Sequence, residues 1–290
     1  MGGGRPSIAG ARLTPASLRA LAARHGIRPK KSLGQHFLIE PALAKRIVEL
    51  AEVGPDDRVL EIGAGLGSLT VALAQTAVEV LAVELDRTLL PALREAVVGL
   101  PRVRVVAADA LRVDWATLLG PGDWKVVANL PYNVAVPVVM RILGDQPRIR
   151  RLFVMVQREV GERLVAGPGE KQYGAVSVRV AYRAEGRVVR RVPKTVFWPE
   201  PKIESVLVSL VRRPPPVSVD ESALWRVVEE AFGQRRKTVA NALVRLGVER
   251  PQAELILGQC GLPLTVRPEQ LDLAAFACVA EGWAAVATRP

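Results

Sequence analysis

Histidine and cysteine are scarce, two of each in 290 residues. Cys260 and Cys278 cannot by themselves complete a four-ligand zinc site, and His25 and His36 lie far from them in sequence, so no metal is expected. Both cysteines fall in apolar, helical-looking stretches near the C-terminus. They read as buried reduced thiols, which implies a cytoplasmic protein. No uninterrupted apolar run reaches the roughly 18 residues of a membrane span, so no membrane partner is expected. The opening "MGGGRPSIAGARLTPASLRALAARHGIRPKK" is charged but has no apolar h-region. A secretory signal is therefore not expected, and residues 1–27 read as a basic N-terminal extension. Internal repeats and low-complexity tracts are missing as well. Aromatic residues make up only 4% of the chain, so a tyrosine placed in a loop calls for a reason.

Acidic residues are in deficit, leaving a net charge of +11 that is unevenly spread. The net charge is +6 over residues 1–40, −3 over 41–140, +9 over 141–216 and −1 over 217–290. Basic segments thus bracket a mildly acidic one, a pattern suited to holding a polyanion beside a site with other needs. Nucleic acid is the expected partner. Arg141, Arg148, Arg150 and Arg151 are candidates for its track.

After a helix expected over 41–53, strand and helix signals alternate. Strands are predicted at 58–62, 79–84, 103–107, 124–128 and 151–157, with helices at 67–75, 87–99 and 134–143. Short apolar strands alternating with helices predict an α/β, doubly wound, Rossmann-like sheet. Residues 175–192 and 203–212 read as further β segments. The proline-rich "RRPPPVSVD" at 212–220 then breaks the pattern. Helices are expected beyond it at 221–232, 235–246, 250–260 and 268–280. The expected organisation is a Rossmann-like sheet domain over 28–212 and a small helical domain over 213–290.

The segment "VLEIGAGLGSLT" places Gly63, Gly65 and Gly67 between a strand and a helix. Such glycines let the backbone turn sharply and approach a ligand. A dinucleotide fingerprint would need a further glycine at position 68, where this chain has Ser68, which disfavours a nicotinamide oxidoreductase. Glu84, about twenty residues on at the next strand end, is placed to accept hydrogen bonds from both ribose hydroxyls of an adenosine-type cofactor. Leu85 follows it. Asp109, with Ala110, follows the third strand, and Asn129 ends the fourth in "WKVVANLPYN". The acidic surroundings favour a cationic cofactor, S-adenosyl-L-methionine, over one carrying a pyrophosphate.

"KKSLGQHFL" (30–38), "VLEIGAGLGSLT" (59–70), "NLPY" (129–132), "QREV" (157–160), "TVFWPEPKIESVLV" (195–208) and "FGQRRKT" (232–238) occur in this order. Together they resemble the rRNA adenine N6-dimethyltransferases over residues 28 to 280, whereas "NLPY" alone marks amino-methyltransferases generally. The resemblance implies S-adenosylmethionine-dependent dimethylation of two adjacent adenosines in the 3′-terminal hairpin loop of 16S rRNA. The implied partner is the 30S subunit precursor, met by a monomeric enzyme.

The chemistry fits the stretch. An exocyclic adenine amine is a poor nucleophile because its lone pair is delocalised into the ring. Asn129 and the Leu130 carbonyl can accept hydrogen bonds from it and aim the lone pair at the methyl group. Pro131 turns that carbonyl inward. Tyr132 offers a face for the flipped-out base, with Phe197 expected as the opposing ring. Gln35, His36 and Leu38 are implied to close over the methionine end of the cofactor. Many relatives have Asn at the His36 position, so a backbone contact is the more robust expectation there. Arg235, Arg236 and Lys237 read as the start of a helix, where their charge opposes the dipole unless an rRNA phosphate is near.

Two other readings share these residues. One is the related 23S rRNA methylase that confers macrolide resistance, which the "FWPEPKIES" and "FGQRRKT" segments disfavour. The other is a non-catalytic assembly or transcription factor on the same fold, which would not need Gly63, Glu84, Asp109 and Asn129 intact.

Overall fold

The computed structural model describes residues 13–30, 33–131 and 133–287. In chain order the first elements are α1 (Pro15–Arg24), β1 (Phe37–Leu38), α2 (Pro41–Leu50), β2 (Arg58–Ile62), α3 (Ser68–Ala74) and β3 (Glu79–Glu84). Next come α4 (Leu90–Ala96), β4 (Val103–Ala107), α5 (Trp115–Leu118), β5 (Trp124–Asn129), α6 (Ala135–Asp145) and β6 (Ile149–Gln157). They are followed by α7 (Arg158–Val165), α8 (Ala175–Arg183), β7 (Ala184–Val192), β8 (Phe197–Trp198) and β9 (Ser205–Arg212). Four helices complete the chain: α9 (Glu221–Gly233), α10 (Val239–Arg245), α11 (Arg250–Gln259) and α12 (Leu273–Ala287).

The chain divides into two compact units. One runs to Gly161 and takes back Arg187–Arg212, and the other joins Glu162–Gly186 to the chain from Arg213 onward. The expected single break near 212 therefore misses a segment. Residues 162–186 leave the sheet unit because Ala166, Tyr173, Val178 and Tyr182 are buried with Leu224, Val227 and Phe276 of the helical core.

The sheet unit is built on seven strands in the order β4-β3-β2-β5-β6-β9-β7. Neighbours from β4 to β6 pair in parallel, and β9 runs antiparallel to β6. Val59, Leu60, Val80, Leu81, Val126 and Val127 are fully buried, as expected of parallel strands covered on both faces. From β2 the chain winds outward through β3 and β4, then returns to lay β5 on the other side of β2. That reversal opens a crevice beyond the carboxyl ends of β2 and β5, the place where such sheets bind ligands.

Residues 13–27 are not a free extension. Thr14 and Ser17 cap α1 reciprocally, and its Leu18 and Leu21 are fully buried with Leu66, Leu89 and Leu93. Each of those leucines contributes about 1.5–3 kcal/mol by leaving water. Arg24 and His25 then both bind Glu95, the histidine through Nε2 at 2.7 Å. Positions 1–12 of the expected extension lie outside the described residues.

The helical unit corrects two further expectations. Residues 175–183 form helix α8 rather than strand, although Val176, Val178, Val180 and Tyr182 alternate with period two. Packing against helices decided the matter: the Tyr182 ring lies edge-on to Trp225 at 5.1 Å between centroids. Cys260 and Cys278 are not reduced buried thiols but a partly exposed disulfide with Cα atoms 5.9 Å apart, joining the end of α11 to α12. The antiparallel return that brings two cysteines 18 positions apart together is a tertiary fact, invisible in their spacing. Among the described residues no helix is long and apolar enough to cross a membrane, and no group of three metal-ligating side chains forms.

Candidate active site

The crevice is a cavity walled by four strand ends and the segment preceding α2. From β2 the backbone enters the glycine turn. Gly65 sits at φ +57°, and a Cβ there would stand 3.0 Å from the Phe37 ring, so only glycine lets the turn and that ring meet. Gly63 and Gly65 line the cavity. Gly67 does not. Its Cβ position faces Leu93 and Ala96 at 3.1 and 3.2 Å, which makes it the residue that lets α3 and α4 approach closely.

Glu84 closes β3 and is buried, with both carboxylate oxygens already held. The backbone N–H of Gly65 donates to Oε2 and that of Asp86 to Oε1, each at 2.8 Å. Burial raises its pKa, and the two backbone hydrogen bonds oppose that rise. The glycine turn and the acid thus fix one another. Each oxygen keeps a lone pair for a further donor. Behind it, Glu61 on β2 is only 2% exposed. Desolvation, with a lesser push from Glu84, drives Glu61 up to about 8.

Asp109 and Ala110 line the wall beyond β4, beside Leu85 and Leu111. Asp109 Oδ1 accepts the Leu111 N–H at 2.8 Å, and Arg141 braces the same turn by donating to the Ala110 and Val113 carbonyls at 2.7 and 2.6 Å. Arg141 therefore serves the cavity wall and not a surface track. Of the other arginines expected on that track, Arg148 and Arg150 are exposed, touching the Gly120 carbonyl and Asp123, and Arg151 pairs with Glu52.

At the end of β5, Asn129, Leu130 and Pro131 line the cavity. The Leu130 N–H continues the ladder to the Met155 carbonyl at 3.0 Å. Asn129 Nδ2 donates to the His36 carbonyl at 3.1 Å. A carbonyl can only accept, so that contact fixes the amide with its NH2 toward His36 and leaves Oδ1 as its acceptor. Tyr132 lies outside the described residues. Phe197 is not on the wall: it is 3% exposed, opposite Leu38 in the short β1–β8 ladder and buried with Val127 and Phe153.

Gln35, His36 and Leu38 also line the cavity. Gln35 spends both polar ends on the protein: Nε2 donates to Asp86 at 2.8 Å, and Oε1 accepts the Lys30 N–H at 2.8 Å. His36 Nδ1 donates to the Pro199 carbonyl at 2.7 Å, leaving its backbone carbonyl to hold Asn129. Sequence reasoning passed over Asp86, Phe37 and Val138, all on the wall. The "VELD" run carries the signal for Asp86, two residues after Glu84.

Arg235, Arg236 and Lys237 belong to the helical unit and form the exposed turn between α9 and α10, not the first turn of a helix. Thr238 takes the N-cap position after them. Arg235 donates to the Lys171 carbonyl at 3.1 Å, and no acid pairs with the three cations among the described residues.

Residues 26–262 match the family model described as ribosomal RNA adenine dimethylase. Two curated relatives, both called ribosomal RNA small subunit methyltransferase A, are similar over nearly their whole length. The one from Thermobifida fusca is 48% identical, covering 93% of this chain and 95% of its own. The one from Moorella thermoacetica is 46% identical, covering 92% and 96%. Among solved structures, a dimethyladenosine transferase from Plasmodium falciparum aligns with TM-score 0.74 at 23% identity, covering 84% of this chain and 96% of its own, which supports the fold. The 23S rRNA methyltransferase ErmE aligns with TM-score 0.67 at 27% identity, covering 86% and 99%.

Proposed function

The chain belongs to the ribosomal RNA adenine dimethylase family, and from that premise we propose that it transfers methyl groups from S-adenosyl-L-methionine to N6 of adenosines in small-subunit rRNA. The targets are two adjacent adenosines in the 3′-terminal hairpin loop of 16S rRNA, presented on a 30S precursor in the cytoplasm to a single copy of the enzyme. The small-subunit choice rests on relatives of 46–48% identity bearing that name, against 27% for the 23S enzyme.

The cavity suits this cofactor. Glu84, buried at the end of β3 on the cavity wall, stands where a cation would relieve its desolvation. Gly63 and Gly65 give backbone approach, Glu84 offers its remaining lone pairs to ribose hydroxyls, and Leu85, Asp109 and Ala110 flank the place for the adenine end. When bound, S-adenosylmethionine supplies an electrophilic methyl group on a sulfonium.

The protein's task is to present the acceptor nitrogen. Asn129 Oδ1 and the Leu130 carbonyl accept the two N6 protons, drawing the amine out of conjugation and orienting its lone pair. Pro131 fixes the turn that aims the carbonyl, and Tyr132, next in sequence, takes the face of the extruded base. A strong general base is unnecessary, because the amine proton becomes acidic as the new bond forms. The turn Arg235-Arg236-Lys237 meets rRNA phosphates. The observation that carries this reading is the Asn129 amide, clamped by the His36 carbonyl with its acceptor left over. Incubating unmethylated 30S and 50S particles with protein and labelled cofactor tests it: label should enter the 30S rRNA. Label entering only the 50S particle would favour the 23S reading.

A further inference from the structure

Asp86 collects more donors than a buried carboxylate needs to be tolerated. It is 7% exposed and receives Lys30 Nζ at 2.9 Å, Gln35 Nε2 at 2.8 Å, and both the N–H and Oγ1 of Thr88 at 3.1 and 2.7 Å. Burial pushes its pKa up, but the bonds from Lys30, Thr88 and Gln35 outweigh that and hold it at about 2. The carboxylate is therefore charged at any working pH. Its own backbone N–H also binds Glu84, so the hub is rigidly tied to the end of β3.

What the hub holds is the segment ending in His36. Gln35 is gripped at both ends of its amide, by Asp86 and by the Lys30 N–H. The next residue gives its carbonyl to Asn129 and its ring to Pro199. An unbroken path of hydrogen bonds and one peptide unit thus runs from the carboxylate to the amide that faces the acceptor base. We propose that Asp86 is a positioning residue for methyl transfer: by anchoring Lys30 and Gln35 it places the His36 carbonyl so that Asn129 turns Oδ1 toward the acceptor amine. The inference rests on the function proposed above. Released from Asp86, the segment would still close the chain, but the His36 carbonyl would no longer dictate which end of the Asn129 amide meets the substrate.

The test compares wild type, Asp86→Asn, Asp86→Glu, Gln35→Leu and the Gln35→Leu/Asp86→Asn double variant on unmethylated 30S particles, with the folded fraction followed by melting. Asp86→Asn should lower kcat about tenfold to a hundredfold, the scale of a misplaced reacting group, while KM for the particle stays within about twofold. Asp86→Glu should recover part of the loss. Gln35→Leu leaves Lys30 on the carboxylate and should show a smaller fall in kcat, which keeps the idea testable if Asp86→Asn folds poorly. Because the two side chains act through one path, the double variant should be no slower than Asp86→Asn alone. A kcat within about twofold of wild type for both single variants, or losses that multiply in the double variant, would overturn the positioning role. Wild-type protein inactive on every particle would instead remove the functional reading beneath it.

Discussion

The cavity of the sheet unit and the turn at 234–238 of the helical unit use polar groups in opposite ways. Around the cavity they are spent before any ligand arrives: Glu84 on two backbone amides, Gln35 on Asp86 and Lys30, Arg141 on two carbonyls. On the turn, three cations stand exposed, and among the described residues their side chains have a single carbonyl partner. Satisfied, buried groups hold geometry, which serves a reaction that depends on orientation. Exposed, unpaired cations hold nothing in place, but they gain on meeting a polyanion, where each neutralised phosphate releases counterions. One region should therefore govern rate and the other affinity for RNA.

The sharpest way to break that division is at Asn129. Asn129→Ala should reduce methyl transfer about 10²–10³-fold, with cofactor affinity falling much less. Single-turnover rates beside calorimetry would show it, and a variant keeping more than half of wild-type turnover would end the assignment. Glu84→Ala should act on the cofactor first, weakening its binding about tenfold or more, as expected for lost hydrogen bonds to a charged group. Unchanged cofactor affinity would remove Glu84 from the ribose.

Replacing Arg235, Arg236 and Lys237 together by alanine should raise KM for the particle several-fold. It should also flatten the salt dependence of binding, by roughly 0.7–0.9 in log–log slope for each phosphate that is no longer neutralised. Cofactor affinity should not change. A salt series giving identical slopes would mean that the turn is merely solvated. The smallest effect concerns Glu61, inside the rigid region. Its folded pKa of about 8 lies above the ordinary 4.5, so the folded protein holds the proton more tightly than the unfolded chain. Stability from this group is present at acid pH and is lost as pH rises from 4.5 through about 8. Glu61→Gln should therefore gain melting temperature relative to wild type as pH rises through that window, with no such gain near pH 4.5. A difference that does not vary with pH would contradict the buried, protonated state.

Much of the sheet unit was legible because its signals are local. The runs at 58–62, 79–84 and 103–107 became β2, β3 and β4 at those bounds; β2 and β3 are largely buried and mostly apolar, whereas β4, at the sheet edge, is marked only by its valines. Glu84, Asp109 and Asn129 line the cavity because doubly wound sheets open their crevice at strand ends. What escaped depended on partners far away in sequence. Residues 175–183 alternate like a strand but were claimed by the helical core, and the Cys260–Cys278 pairing needed the packing of two helices. Phe197 looked like a stacking ring by its place among motif residues, yet its register opposite Leu38 buries it. Asp86 was missed because its significance lies in what reaches it from Lys30 and Gln35.

The proposed activity is tested most directly by mass spectrometry of rRNA fragments from unmethylated 30S particles, before and after incubation with the protein and S-adenosylmethionine. Two adjacent N6,N6-dimethyladenosines should appear in the 3′-terminal hairpin fragment of 16S rRNA with wild type, and neither with Asn129→Ala. Methyl groups found elsewhere, or a wild-type pattern produced by Asn129→Ala, would contradict it.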